Sequence, residues 1–183
     1  MFSPAPQPDV APQFEMQVPQ PQDKPKVPAK AKAPGGDIGS FIQQLIALSS
    51  YVKELETQSH LIHLNFEGSN FLSVHAFLKE QYEAHLEQFD TLSEFVRSMD
   101  YLMPMNNTKL QDMMPPVHEV TSYKGTDMLG VYYKNLEELG MKAKKLEPIA
   151  QKVGAIDIAN YLSDLCGQAF KAAWKIKATL RNN

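Results

Sequence analysis

Several things are scarce in this chain. Of its 183 residues only Cys166 is a cysteine. One thiol cannot close a disulfide within the chain, so no cystine framework holds the fold, and a reducing, cytoplasmic setting is expected. No apolar run reaches the roughly 18–20 residues that a membrane-crossing helix needs. The N-terminus has neither the basic start nor the apolar stretch of a secretory signal. No segment alternates apolar and polar residues with the period of two that marks a half-buried strand, and no internal repeat is evident. Net charge is also slight. Eighteen basic against 21 acidic side chains leave −3, too little to specify a partner. What is present is an apolar fraction of 43%, enough to bury a core in one domain of ordinary size.

The first 36 residues differ from the rest. They hold most of the prolines, many glutamines and few large apolar groups. Such a segment cannot bury enough surface to offset its ordering entropy, and it is expected to be a disordered tail. Its second half carries Lys24, Lys26, Lys30 and Lys32 among prolines and alanines, with no acid between them, and ends in the hinge-like Pro34-Gly35-Gly36. The proline-rich stretch 4–21 reads as a spacer or as a ligand for a partner's groove. The expected division is a tail at 1–36 and a folded domain at 37–183.

Within 37–183 the pattern is helical. Asp37 is a candidate N-cap, with Ser40 the alternative. Apolar or small residues then recur at 38, 41, 42, 45, 48, 52, 55, 59 and 62, one face of a helix running to about Asn65. Glu67-Gly68-Ser69-Asn70 is turn chemistry. A second helix is expected from Asn70 to about Asp100, burying Phe71, Val74, Phe77, Leu78, Tyr82, Leu86, Phe89, Leu92 and Val96. A long connection over 99–121 contains three prolines and one short helix near 108–113. A third long helix spans roughly 123–152, weakened by Gly130 and Gly140 and kinked or ended by Pro148. A fourth runs from about Ile156 to Leu180. Four long helices with one long crossover define an all-α four-helix bundle with a short helix in the crossover between helices 2 and 3.

The residues that carry chemistry are His63, His75, Asp90 and Glu94. All four are good metal ligands, yet His75 and Asp90 lie fifteen residues apart on one helix, roughly 22 Å at 1.5 Å per residue. Metal–ligand bonds are only about 2.0–2.2 Å long. If the four share a metal, a second copy of the helix must run antiparallel to the first. His63 and His75 flank the 67–70 turn at similar heights, and Asp90 and Glu94 form an i, i+4 pair on one face. Such a set suits iron, and also zinc or manganese. A helical histidine is more often a packed or surface residue, and an acidic i, i+4 pair more often a solvated face. Spacing alone therefore leaves metal binding one reading among others.

The run His60-Leu-Ile-His63-Leu-Asn-Phe-Glu-Gly68-Ser-Asn70-Phe71-Leu-Ser-Val-His75 resembles the signature of the Dps family, the ferritin-like DNA-binding proteins from starved cells. That pattern is His-x-x-His-Trp-x-x-x-Gly-x-x-Phe-x-x-x-His. Asp90-Thr-Leu-Ser-Glu94 resembles the family's Asp-x-x-Ala-Glu-Arg, and the gaps of twelve, fifteen and four residues between the ligands match without insertion. The resemblance covers about 38–180. It implies a ferritin-like bundle assembled into a hollow dodecamer, with iron as the metal. His63 and His75 of one subunit, with Asp90 and Glu94 of another, would form ferroxidase centres at the two-fold interfaces. It implies oxidation of Fe(II), preferentially by hydrogen peroxide, mineralisation of Fe(III) inside the shell, and protection of DNA. Asp157 would then line a three-fold pore, though it reads equally as a helix cap.

The motif is not intact. Leu64 stands where the family carries Trp, Ser93 and Phe95 replace its Ala and Arg, and Asn160 replaces a second pore Asp. Lys79 occupies a position where many members carry an Asp that assists a second iron, and an ammonium there repels a cation. The lysines at 24, 26, 30 and 32 are candidate contacts for non-specific, salt-sensitive DNA binding, amplified by many copies, which would associate the protein with the nucleoid. They read equally as solubilising linker residues. Two functional readings follow: a Dps-like ferroxidase and iron store, or a non-enzymatic DNA-compacting or structural shell acting through its tail. A larger ferritin or di-iron oxygenase is disfavoured, because no glutamate lies three residues before any of the five histidines.

Overall fold

The computed structural model of the protein describes residues 36–181. The readings of the tail, including the lysines at 24, 26, 30 and 32, lie outside the described residues. Five helices follow in order: α1 Gly36–Asn65, α2 Phe71–Ser98, α3 Asn107–Asp112, α4 Gly125–Lys152 and α5 Ile156–Leu180. The α1–α2 and α4–α5 hairpins pack against each other chiefly through α1 and α4, and α3 rests on α1. Among the described residues there is no strand, and no helix is long and apolar enough to cross a membrane. The architecture is the all-α four-helix bundle with a short crossover helix that the sequence pattern implies.

The helix ends have identifiable causes. Gly68 turns the chain between α1 and α2 at φ 139°, where a side chain would be strained. After α4, Gly154 takes φ 81°. Its N–H donates to Gln151 O at 3.0 Å, and the Ala155 N–H donates to Ala150 O at 2.9 Å. That double bond pattern is a Schellman stop, and α5 begins directly after it. The same pattern ends α2, with Asp100 at φ 65° in the role usually taken by glycine. α3 starts at Asn106, whose side chain accepts a bond from the Lys109 N–H at 2.9 Å.

Three expectations need correction. α1 begins at Gly36, so Asp37 and Ser40 lie inside the helix instead of capping it. Pro148 does not end α4, which continues to Lys152. Pro148 and Lys144 are both exposed, so the carbonyl deprived of its donor lies on the solvent side. The buried stripe of α2 is Val74, Leu78, His85, Gln88, Leu92 and Val96. Leu86 is 55% exposed and Phe71 38%. A 3.6-residue period through Leu78 and Leu92 brings His85, not Leu86, to the core. Gly140 proves to be a packing slot: a Cβ there would lie 2.9 Å from the Phe170 ring. On α5, Trp174 stays 64% exposed and Ile156 67%.

Two polar clusters occupy the interior. Asn135 is fully buried. Its amide donates to Gln58 Oε1 at 2.9 Å and to the His118 carbonyl at 2.8 Å. Its Oδ1 accepts from the His118 N–H at 2.9 Å and from the Tyr51 hydroxyl at 3.2 Å. One side chain thus binds the extended crossover to α1 and α4. In the second cluster, His85 Nδ1 meets Gln88 Oε1 at 2.8 Å and His85 Nε2 meets the Tyr132 hydroxyl at 2.8 Å. The Gln88 amide goes on to Gln168 at 3.1 Å.

Replacing Asn135 with Leu leaves Gln58 Oε1 and the His118 N–H without their partner, while the His118 carbonyl keeps its bond from Gln58. Urea unfolding should show a loss of about 3 kcal/mol, since buried unpaired groups cost about 1–3 kcal/mol each. Lys134→Ala, an exposed change beside it, should alter stability little. Burial pushes the His85 imidazole down to about 4 from its ordinary 6.5, against the smaller favourable effects of Gln88 and Glu56. Between these values the unfolded chain binds a proton that the folded chain does not. Stability is therefore lost as pH falls from about 6.5 toward 4, by up to about 3 kcal/mol. Unfolding of His85→Gln across that window should lack this component.

Candidate metal centre

The α1–α2 turn brings His63 and His75 together. Their rings stack with centroids 3.6 Å apart and planes 20° from parallel. Each Nδ1 faces the other residue's backbone carbonyl: His63 Nδ1 to His75 O at 2.8 Å, and His75 Nδ1 to His63 O at 3.0 Å. A carbonyl only accepts, so both Nδ1 atoms carry the hydrogen. In the neutral ring that leaves the lone pair on Nε2, and an imidazole held through its far nitrogen by a carbonyl is an oriented metal ligand. The reciprocal bonds also hold one end of α1 to the start of α2, so fold and ligand orientation share the same atoms.

Other rings enclose the pair. Phe71 lies 4.8 Å from His75, and Tyr82 meets His63 edge-on at 5.4 Å while stacking on His60 at 4.2 Å. Tyr82 reads from the sequence as a core residue. Its position seven residues after His75, two turns along the same face, was the available signal that it borders this site. His63 is buried, His75 half-buried and His60 exposed.

Asp90 and Glu94 stand exposed on α2, away from the histidines. Among the described residues no three or more His, Cys, Asp or Glu side chains of one chain converge on a metal-sized point. The chain presents two separate groups: a pair of imidazoles at the hairpin turn and a pair of carboxylates farther along α2. Around them, apolar side chains face water: Leu61 55% exposed, Leu64 65%, Leu72 82% and Leu86 55%. Lys79, one turn after His75, pairs with Glu83 at 3.5 Å. Phe95, in the place after Glu94, turns inward against Tyr161 at 5.3 Å. Asp157 is exposed in the first turn of α5, where the N-cap residue is Ala155, so it does not cap the helix. Its charge suits the positive helix end there.

A bundle of two helical hairpins joined by a long crossover, with imidazoles at one turn and carboxylates on the second helix, defines a class. The family model for the ferritin-like domain matches residues 42–183, and the chain belongs to that family. Its fold is that of the Dps proteins. Dps from Thermosynechococcus elongatus superposes with a TM-score of 0.75 at 17% identity, over 79% of this chain and 92% of that one. Antigen TpF1 from Treponema pallidum gives 0.74 at 22% identity, over 83% and 99%. Dps from Vibrio cholerae gives 0.72 at 17% identity, over 79% and 91%, and is described as a member of a broad superfamily of ferritin-like diiron-carboxylate proteins. Comparison with curated protein sequences yields no match.

The tautomer assignment is testable without metal. Nitrogen-15 NMR of the metal-free protein should show that the neutral form of both His63 and His75 carries its hydrogen on Nδ1 and not on Nε2. A protonated Nε2 in either neutral ring would contradict the carbonyl bonds described above.

Proposed function

We propose that this chain is a Dps-type ferroxidase and iron store. It oxidises Fe(II) at sites shared between two subunits and holds the ferric product within a closed shell of copies, a dodecamer. The observation that carries the reading is the carbonyl-locked pair of imidazoles, with neither Nε2 atom bonded to a partner among the described residues. The pair is a half-site of neutral nitrogen donors, suited to accept Fe(II). The half it lacks is anionic, and Asp90 with Glu94 of the partner subunit supplies it. When the iron loses an electron its charge rises to three, and two carboxylates stabilise that state more than they stabilise the ferrous one. Binding energy that grows along the reaction lowers its barrier. The exposed leucines beside both half-sites are the apolar surface that a second copy would cover.

Hydrogen peroxide is the proposed oxidant, and its removal together with ferrous iron would spare DNA from radical damage. The setting is the cytoplasm, with the nucleoid reached through the lysines at 24, 26, 30 and 32 when they contact phosphates. Asp157, exposed at the start of α5, is proposed to line an entry pore. A second reading keeps the shell and drops the chemistry: a DNA-compacting or structural particle acting through the tail. Lys79 favours it, since an ammonium one turn from His75 opposes cation binding. The two readings separate on iron oxidation, and on whether salt-sensitive DNA retardation disappears when residues 1–35 are deleted.

The shared site makes a complementation test decisive. His63→Ala/His75→Ala and Asp90→Ala/Glu94→Ala should each abolish peroxide-dependent Fe(II) oxidation. Unfolding and reassembling the two variants together should restore part of it, because mixed two-folds rebuild one complete centre. Activity of either variant alone at the wild-type rate would refute the assignment. The assembly should have a mass of about 250 kDa, twelve times the 20.6 kDa chain, and a monomer would remove the shared site altogether.

A further inference from the structure

We propose that Tyr132 and His85 form a redox-active pair that supplies one electron to peroxide when a single iron is oxidised at the shared site. The inference rests on the iron-oxidising reading above and deepens it.

The pair has the geometry of a proton-coupled electron donor. The Tyr132 hydroxyl lies 2.8 Å from His85 Nε2. His85 Nδ1 faces Gln88 Oε1, and the Gln88 amide donates to Gln168, which fixes Oε1 toward the imidazole. The Nδ1 hydrogen is therefore committed to Gln88, so Nε2 is the acceptor and the phenol the donor. Tyr132 is fully buried and His85 is 2% exposed. A buried phenol resists oxidation because its radical cation is poorly solvated. A hydrogen-bonded base removes that obstacle by taking the proton as the electron leaves. Burial opposes the resulting imidazolium, while the Gln88 acceptor and the nearby Glu56 charge favour it. His85 and Gln88 also line a cleft of about 200 Å³ with Gln168, Lys171 and Lys175, through which the proton can return from water.

One stretch of α2 carries both features. His85 precedes Asp90 by five residues, a rise of about 7.5 Å and a turn of about 140° around the axis, so the pair lies on the core face and the carboxylates on the exposed face of the same two turns. Lys79, one turn after His75, opposes a second dication at the imidazole half. One Fe(II) gives one electron, whereas full reduction of peroxide takes two, and the shortfall would leave a hydroxyl radical. With the pair the reaction closes: Fe(II), Tyr132–OH, neutral His85 and H₂O₂ give Fe(III), the Tyr132 phenoxyl radical, the His85 imidazolium and two hydroxides. The O–O bond breaks, iron and tyrosine each lose one electron, and the phenolic proton moves to Nε2. A second Fe(II) then gives one electron to the phenoxyl radical, the His85 imidazolium returns the proton to the phenolic oxygen, and that iron leaves as Fe(III).

The test uses the assembled protein with ring-deuterated tyrosine, given Fe(II) and equimolar peroxide, frozen at intervals and read by electron paramagnetic resonance. A tyrosyl signal with deuterium-narrowed hyperfine structure is expected. It should vanish in Tyr132→Phe, persist in Tyr123→Phe, an exposed tyrosine of the crossover, and fall several-fold in His85→Gln, which keeps a polar side chain but cannot take the proton. Spin-trapped hydroxyl radical should rise in Tyr132→Phe while Fe(III) still forms. A second arm omits iron and oxidises the protein with a flash-quenched ruthenium complex, where the Tyr132 signal should again depend on His85. Iron oxidation with no tyrosyl signal, or with a signal that survives Tyr132→Phe, would overturn the proposal and leave the ferroxidase reading standing. A Tyr132 signal in the iron-free arm without iron oxidation in the first would overturn the ferroxidase reading and leave the pair redox-active.

Discussion

The side-chain amide of Asn135 is the constraint on which the arrangement of helices depends. A four-helix bundle with one long crossover must carry an irregular chain along its side, and the polar backbone of that chain needs partners. Asn135 offers two donors and two acceptor positions, and all are used: on Gln58, on both backbone groups of His118, and on the Tyr51 hydroxyl. A second bond from Gln58 to the His118 carbonyl, at 2.9 Å, doubles the attachment. The crossover, α1 and α4 are thereby held at one level of the bundle. His63 follows Gln58 by five residues on the same helix, so the imidazole pair inherits its position from this clamp.

The same economy runs through the rest of the interior. No buried side-chain nitrogen or oxygen among the described residues lacks a partner. In a medium of low dielectric an unpaired polar group is costly, and a fully paired one fixes a single arrangement. The histidines illustrate two outcomes of that rule. His85 has both ring nitrogens engaged inside the bundle. His63 and His75 each have Nδ1 engaged, and neither Nε2 has a hydrogen-bond partner among the described residues.

Much of this was legible beforehand. The bounds of α5 match the expected residues, because a Schellman glycine and a strong apolar stripe mark them independently. The α1 stripe from Phe41 to Ile62 is buried as its period implies. The meeting of His63 and His75 followed from their places on either side of a short turn. What was not legible depended on phase or on distant partners. One residue of helical phase decides between His85 and Leu86, and propensity does not resolve it. Asn135 meets Gln58 from 77 residues away, and no local pattern announces that. The exchange of bonds between the two imidazoles and the two carbonyls depends on how closely α1 and α2 cross, which only the packed hairpin determines. Asp90 and Glu94 were legible as candidate ligands only, and within one chain they stand apart from the histidines.

Trp174 stands in water on α5, and the chain has no other tryptophan. Indole emission shifts to shorter wavelength when the ring leaves water, and nothing else in this protein emits in that range. The chain thus carries a native optical label on the face of the α4–α5 hairpin. Any contact that covers this part of α5 would register as a spectral shift with no dye attached. Because the two histidines and the two carboxylates lie on the other hairpin, a contact made only there would leave the spectrum unchanged, so the two hairpins can be told apart optically.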